Sequence, residues 1–116
     1  MATPSVPGTP VSVAVKDLNG DGKPDIAVSS AAIEGSIRQT YITVLINNGA
    51  SGFNPGTSYP TVEAGVLGIG DFNSDNHPDL AASINEDGIV VLTNKGNGEF
   101  NAPVYSLPAQ TRLIWR

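Results

Sequence analysis

Val13-Ala14-Val15-Lys16-Asp17-Leu18-Asn19-Gly20-Asp21-Gly22-Lys23-Pro24-Asp25-Ile26-Ala27 aligns without a gap with Leu67-Gly68-Ile69-Gly70-Asp71-Phe72-Asn73-Ser74-Asp75-Asn76-His77-Pro78-Asp79-Leu80-Ala81. From Asp17 to Asp71 the separation is 54 residues. Further along, Ile42-Thr43-Val44-Leu45-Ile46-Asn47 matches Ile89-Val90-Val91-Leu92-Thr93-Asn94 at a separation of 47 residues. Each run is followed by a Gly-containing turn and then by Phe-Asn (Phe53-Asn54, Phe100-Asn101). The two separations differ by seven residues, which places an insertion in the first copy around Ala32 to Tyr41. The 116-residue chain therefore holds two copies of a unit of about 50 residues.

Within each unit the pattern is that of strands. Val11-Ser12-Val13-Ala14-Val15 alternates Val with small residues, as a half-buried strand does. Ile26-Ala27-Val28 and Leu80-Ala81-Ala82 follow the Asp-rich stretches as short strands, and Ile42 to Ile46 and Ile89 to Leu92 are β-branched runs that end in hairpin-like turns. Phe53 to Tyr59 and Phe100 to Leu107 read as a fourth strand, interrupted by proline and so confined to a sheet edge. The segment Ala31 to Arg38 has room for one helical turn. The reading is all-β, with four antiparallel strands per unit, the arithmetic of a β-propeller blade. Ala14, Gly68 and Gly70 suit an innermost strand, where blades crowd together.

The expected boundaries are an extension at 1–10, a first blade at 11–61, a second blade at 62–108, and the first strand of a third unit at 109–116. From Tyr59 to Asp71 there are 12 residues, and the same step from Tyr105 lands just past Arg116. Leu113-Ile114-Trp115-Arg116 then matches Leu67-Gly68-Ile69-Gly70, with Trp115 expected to pack rather than to form a ligand platform. A ring needs at least four blades. Two blades plus one strand thus imply a fragment of a longer propeller or a protomer that closes a ring by self-association, a homo-oligomer built through blade packing.

Composition removes several function classes. Charged residues are 15% of the chain, hydrophobic residues 40%, and glycine and proline number 13 and 9. That is too much punctuation for a helical bundle and too apolar for a disordered tail. The net charge of −5 disfavours a nucleic-acid backbone as partner. No window reaches the roughly 18 apolar residues of a membrane helix, so no membrane insertion is expected. The absence of cysteine excludes disulfides, thiolate metal sites and Cys nucleophiles, and the single histidine, His77, excludes a multi-histidine zinc site within one copy. Met1 to Ser5 has neither the basic start nor the apolar core of a signal peptide.

Six of the eleven acidic residues fall in two nine-residue windows, Asp17 to Asp25 and Asp71 to Asp79. Oxygen donors at positions 1, 3, 5 and 9 of a tight loop suit Ca²⁺, which takes six to eight oxygens. The first set is Asp17, Asn19, Asp21 and Asp25, with the carbonyl of Lys23 at position 7; the second is Asp71, Asn73, Asp75 and Asp79, with the carbonyl of His77. Gly22 supplies a left-handed conformation at the sharp turn, and Asn76 stands in its place in the second loop. One loop of this kind is explained as an ordinary turn of Asp, Asn and Gly. Two loops with identical spacing at matching places of a repeat point to two Ca²⁺ sites. An EF-hand is excluded, since position 12 is Val28 or Ala82 instead of Glu and the flanks read as strands.

Strand, DxNxDGxPD, short strand and VLxNxGxGxF together resemble the FG-GAP/VCBS repeat of integrin α-subunit propellers and of many secreted bacterial and fungal proteins. The resemblance covers residues 11 to about 107. It implies a four-stranded blade with Ca²⁺ in the loop between its first two strands, six to eight blades in a ring, and an extracellular or cell-surface parent protein. Carried over residue by residue, it makes the two sets above the two sites. Ser74-Asp75-Asn76 departs from the Gly-Asp-Gly common in the family, which puts more weight on the first site than on the second. Some family members are lectins, although no motif here selects that activity.

The expectation is a non-enzymatic, calcium-rigidified module that presents loops to an extracellular protein or glycan. His77 sits in a loop whose carboxylates are assigned to metal, and Ser29, Ser30 and Ser83 have no partner base, so catalysis is not expected. The alternatives are a sugar-binding lectin with structural Ca²⁺, for which Tyr41, Tyr59, Tyr105 and Trp115 are the candidate rings, and a self-assembling scaffold with no ligand of its own. Phe53, Phe72 and Phe100 are expected in the core between blades. The insertion at Ala32 to Tyr41, with Glu34 and Arg38, is where a functional excursion would sit.

Overall fold

A computed structural model describes residues 5–49, 52–84 and 88–106. The expected third-unit strand at 109–116, with Trp115, lies outside these residues. Eight strands run in order: β1 (Thr9–Lys16), β2 (Asp25–Glu34), β3 (Ile37–Leu45), β4 (Thr57–Thr61), β5 (Ala64–Gly70), β6 (Asp79–Ile84), β7 (Gly88–Leu92) and β8 (Val104–Ser106). They form two four-stranded antiparallel sheets, β1-β2-β3-β4 and β5-β6-β7-β8, with no helix among the described residues. Each sheet is a propeller-type blade, and the acidic windows fill the β1–β2 and β5–β6 connections.

The prolines place the edges. Pro60 lies opposite Tyr41 on β4, which has β3 as its sheet neighbour and so loses no interior ladder bond by lacking an N–H. The fourth strands begin later than the aromatic residues suggest. Phe53 and Phe100 form single bridges, to Asn47 and Asn94, and Pro55 and Pro103 separate them from β4 and β8.

The segment Ala31 to Arg38 is not a helical turn. β2 and β3 continue in register from Ile26↔Leu45 to Glu34↔Ile37, closed by the two-residue loop Gly35-Ser36. Gly35 has φ +70°, the positive value that a type II′ turn needs at its first position. The insertion is thus absorbed as extra hairpin: a two-stranded ladder pairs the inward-facing half of the added backbone groups, whereas one helical turn leaves most of its own unpaired. Tyr41 Oη donates to Glu34 Oε2 across the hairpin at 2.6 Å, and Arg38 reaches Glu63 at 2.6 Å.

The core lies in the seam between the blades. Ala27, Ile42 and Val44 of the first blade meet Leu80, Ala82, Ile84, Val90 and Leu92 of the second in one buried cluster, with Leu67 and Ile69 packed against it. Truncating a residue as buried as Leu80 to Ala costs about 2–5 kcal/mol. Polar side chains of the first blade hold the backbone of β5. Ser29 Oγ donates to the Gly65 carbonyl at 2.6 Å, Leu67 N donates to Ser12 Oγ at 3.1 Å, and Ala64 N donates to Thr40 Oγ1 at 3.1 Å.

Two tyrosines close the seam. Tyr59 Oη accepts from Phe100 N at 3.0 Å, and its ring meets that of Phe100 edge-on at 6.1 Å. Tyr105 Oη accepts from Val62 N at 2.9 Å. At the separation of 47 residues Tyr59 aligns with Ser106 and Tyr105 with Ser58, and the registers agree: Tyr59 lies opposite Ile42, whereas Tyr105 lies opposite Val90, the counterpart of Thr43. Adjacent positions of a strand face opposite sides of the sheet, so Tyr59 enters the seam from the first blade and Tyr105 from the second.

Of the three phenylalanines expected in the core, Phe100 is buried and Phe53 is partly buried. Phe72 is 54% exposed, whereas its repeat counterpart Leu18 is 1% exposed. The difference is one of neighbours. Leu18 belongs to the cluster between the blades, and no third blade stands beside Phe72 among the described residues.

Candidate metal centres

In both loops the first carboxylate organises the turn. Asp17 follows β1, and its Oδ2 accepts from Gly22 N at 2.7 Å while its Oδ1 accepts from Gly20 N at 2.8 Å. Asp71 repeats this after β5, with Asn76 N donating to Oδ2 at 2.8 Å and Asp75 N donating to Oδ1 at 3.1 Å. Hydrogen bonds to the ionised form hold both carboxyl groups below the ordinary value of 3.8; the largest contributor is the Gly22 amide for Asp17 and the Asn76 amide for Asp71. Both groups are therefore anionic over the physiological range.

The fifth and ninth positions complete the frame. Asp21 Oδ1 accepts from Lys23 N at 2.9 Å and Asp75 Oδ1 accepts from His77 N at 3.0 Å. Asp25 and Asp79 open β2 and β6 and are fully buried. Asp25 accepts from Leu18 N at 2.7 Å and from Asn47 N at 2.8 Å; Asp79 accepts from Phe72 N at 3.0 Å and from Asn94 N at 2.8 Å. Each buried carboxylate thus joins the start of its loop to the turn after the third strand of the same blade.

These contacts gather the acidic groups. Asp17, Asp21 and Asp25 each present an oxygen atom, and the three lie within 4.8 Å of one another; Asp71, Asp75 and Asp79 do the same. Asn19 Oδ1 accepts from Asp21 N at 3.3 Å, beside the first cluster. In the second, one atom of the Asn73 amide stands 3.1 Å from Asp71 Oδ1, 2.8 Å from Asp75 Oδ1 and 3.2 Å from Asp79 Oδ2. With nitrogen inward, that amide donates to the carboxylates. With oxygen inward, the amide adds a fourth oxygen atom to the three carboxylates, a set that a bound cation would satisfy. The donor set, all hard oxygen and mostly anionic, fits Ca²⁺.

Seventh-position side chains lie over the neighbouring turns. Lys23 packs against Gly49 and the His77 imidazole against Gly96, so neither side chain is spent inside its cluster. The non-glycine residues of the second loop take the same backbone course as the glycines of the first. Ser74 and Asn76 have φ of 63° and 69°, against 82° and 83° for Gly20 and Gly22. The departure at Ser74-Asp75-Asn76 therefore leaves the loop's shape intact.

Two residues outside the acidic windows belong to this framework, Asn47 and Asn94. By type they read as turn residues. Their main-chain amides fix the buried carboxylates, and their side chains donate to the carbonyls of Pro24 (3.1 Å) and Pro78 (2.9 Å). The available signal was their identical place, directly after the Ile42–Ile46 and Ile89–Thr93 runs. Tyr59 and Tyr105, considered as sugar platforms, have hydroxyl groups engaged by backbone amides in the seam.

Comparison with protein families matches residues 9–32 to the FG-GAP repeat. No curated protein and no solved structure is matched by the chain. The matched span holds β1, the first acidic loop and most of β2, and the second blade repeats its strand order and its carboxylate contacts. With two blades built on this plan, the chain is a propeller-like repeat module whose residues 9–32 match the FG-GAP repeat.

Proposed function

We propose that the chain is a calcium-binding, non-enzymatic propeller module of an extracellular or cell-surface protein. Its two ions would be held by Asp17, Asn19, Asp21, Asp25 and the Lys23 carbonyl, and by Asp71, Asn73, Asp75, Asp79 and the His77 carbonyl. The observation that carries this reading is the convergence of three carboxylate oxygens within 4.8 Å in each loop, on a frame of main-chain amides. Bound Ca²⁺ supplies positive charge where three like charges otherwise repel. Asp17 and Asp71 set the curvature of the loops, and Asp25 and Asp79 transmit that order to the hairpins behind them. The blades so stiffened would present their connections to an extracellular protein or glycan partner, the extended β2–β3 hairpin with exposed Ile33 and Ile37 being the most prominent.

Titration calorimetry with CaCl₂ and thermal melts in Ca²⁺ and in EGTA test this reading. Two ions per chain are expected, with affinity in the range of extracellular modules, about 10⁻⁴–10⁻³ M or tighter. The melting temperature should rise with Ca²⁺ as native-state binding requires. No heat and no shift would leave the loops as ordinary turns and end the calcium reading.

A further inference from the structure

We propose that this chain binds further copies of itself head to tail, the outer face of the second blade seating on the outer face of the first blade of the next copy. The seam inside the chain shows which two faces fit one another. On the first-blade side it uses Ala14, Ala27, Ile42 and Val44; on the second-blade side it uses Leu67, Ile69, Leu80, Ala82 and Leu92. The repeat carries each set to the opposite end of the molecule. The counterparts of the first set are Gly68, Ala81, Ile89 and Val91, on the outer face of the second blade. The counterparts of the second are Val13, Val15, Ile26, Val28 and Leu45, on the outer face of the first blade.

The two outer faces therefore repeat the small-against-large complementarity of the seam, with no charged residue at any of these nine positions. They are also open. Val13 and Val15 are 62% and 61% exposed and Ile89 is 46% exposed, an apolar display beyond scattered surface residues. Phe72 adds a second, independent sign. Its counterpart Leu18 is buried in the seam, where its carbonyl accepts from Asn94 Nδ2 at 2.8 Å. The counterpart of Asn94 is Asn47, whose side-chain amide meets only the Pro24 carbonyl of its own loop among these carbonyl groups. In the assembly, Phe72 enters the new seam as Leu18 does, and Asn47 of the next copy donates to the Phe72 carbonyl.

Because the seam joins unlike faces, the contact is heterologous, and it closes a ring if the rotation per copy permits. Propellers have about four to eight blades, so two to four copies would close one. Sedimentation velocity and light scattering on the full chain in Ca²⁺ buffer, at about 10 to 300 μM, test this. Two variants each block one face at exposed positions: Val13→Lys with Val15→Lys on the first blade, and Ile89→Lys on the second. The wild type should show two to four chain masses, and each variant alone one. An equimolar mixture of the two variants should give two chain masses and stop there, since each retains one intact, complementary face; that product also shows that both variants fold. Phe72→Ala should weaken wild-type assembly at least tenfold without lowering the melting temperature of the dilute monomer. A wild type that stays monomeric throughout overturns the proposal. So does either blocked variant that dimerises by itself, or a mixture that remains monomeric at concentrations where the wild type assembles.

Discussion

The side-chain amide of Asn94 donates to the carbonyl of Leu18 at 2.8 Å and to that of Pro78 at 2.9 Å, so a single buried residue ties together the two acidic loops. Its main-chain N–H also donates to Asp79 at 2.8 Å. Asn94→Ala strands two carbonyl groups and should lower unfolding stability by about 1–3 kcal/mol. Asn47→Ala removes the Pro24 contact and the bond from Gly49 N but no contact with the other blade, and should cost less in dilute protein. Urea unfolding midpoints of the two variants, read with unchanged m-values, check the order.

Asp25 and Asp21 should separate support from binding. Both oxygens of Asp25 accept buried main-chain amides, and an Asn there turns an N–H₂ toward one of those donors. Asp25→Asn should thus destabilise the chain in EGTA by about 1–3 kcal/mol. Asp21→Asn keeps an oxygen for Lys23 N, and should leave stability in EGTA nearly unchanged while weakening Ca²⁺ binding at the first site. Paired melts and calorimetry distinguish the two outcomes.

Ser74 and Asn76 hold left-handed backbone conformations that glycine adopts without steric cost. Ser74→Gly should stabilise the chain by up to about 1 kcal/mol, with the larger gain expected at Ser over Asn. Gly22→Ala, at φ +83°, should do the opposite by a similar amount. Thermal midpoints in EGTA, compared under identical buffer, are the measurement.

Tyr41 offers a pH probe remote from the loops. Its hydrogen bond to Glu34, followed by burial and the nearby negative charge, raises its pKa above the ordinary 10.0. A raised folded-state value favours the neutral phenol, so this contribution to stability is complete below about pH 10 and is lost as pH rises through the folded-state value. In Glu34→Ala the phenolate absorbance of Tyr41 should appear at lower pH than in the wild type. An unchanged titration would mean that the contact does not persist in solution.

The strand order and the two acidic loops were legible because both depend on residue type at fixed spacing. Alternation at Val11 to Val15 gives a strand, and Asp at positions 1, 5 and 9 gives a carboxylate cluster wherever the chain turns there. What escaped depends on tertiary register. The hairpin built from Ala31 to Arg38 is locally as compatible with a helical turn, until the ladder to Leu45 is in place. Tyr59 and Tyr105 look like repeat partners by residue type, but they sit one position apart in strands of the same register and so enter the seam from opposite sides. Asn94 looks like any turn residue, since its partner Leu18 lies 76 positions away.

The seating of Leu18 constrains how such a chain can change length in evolution. By sequence Leu18 belongs to the first repeat, but the surface that shields it comes from the second. A duplication or deletion that is not a full period long would strand a side chain of this kind without its cover, wherever the breakpoints fall. Repeat number should therefore drift in whole steps. The segment from Ile33 to Arg38 escapes this rule: it is solvent-exposed and outside the seam, so the gene can lengthen it by a few codons without putting the blades out of phase.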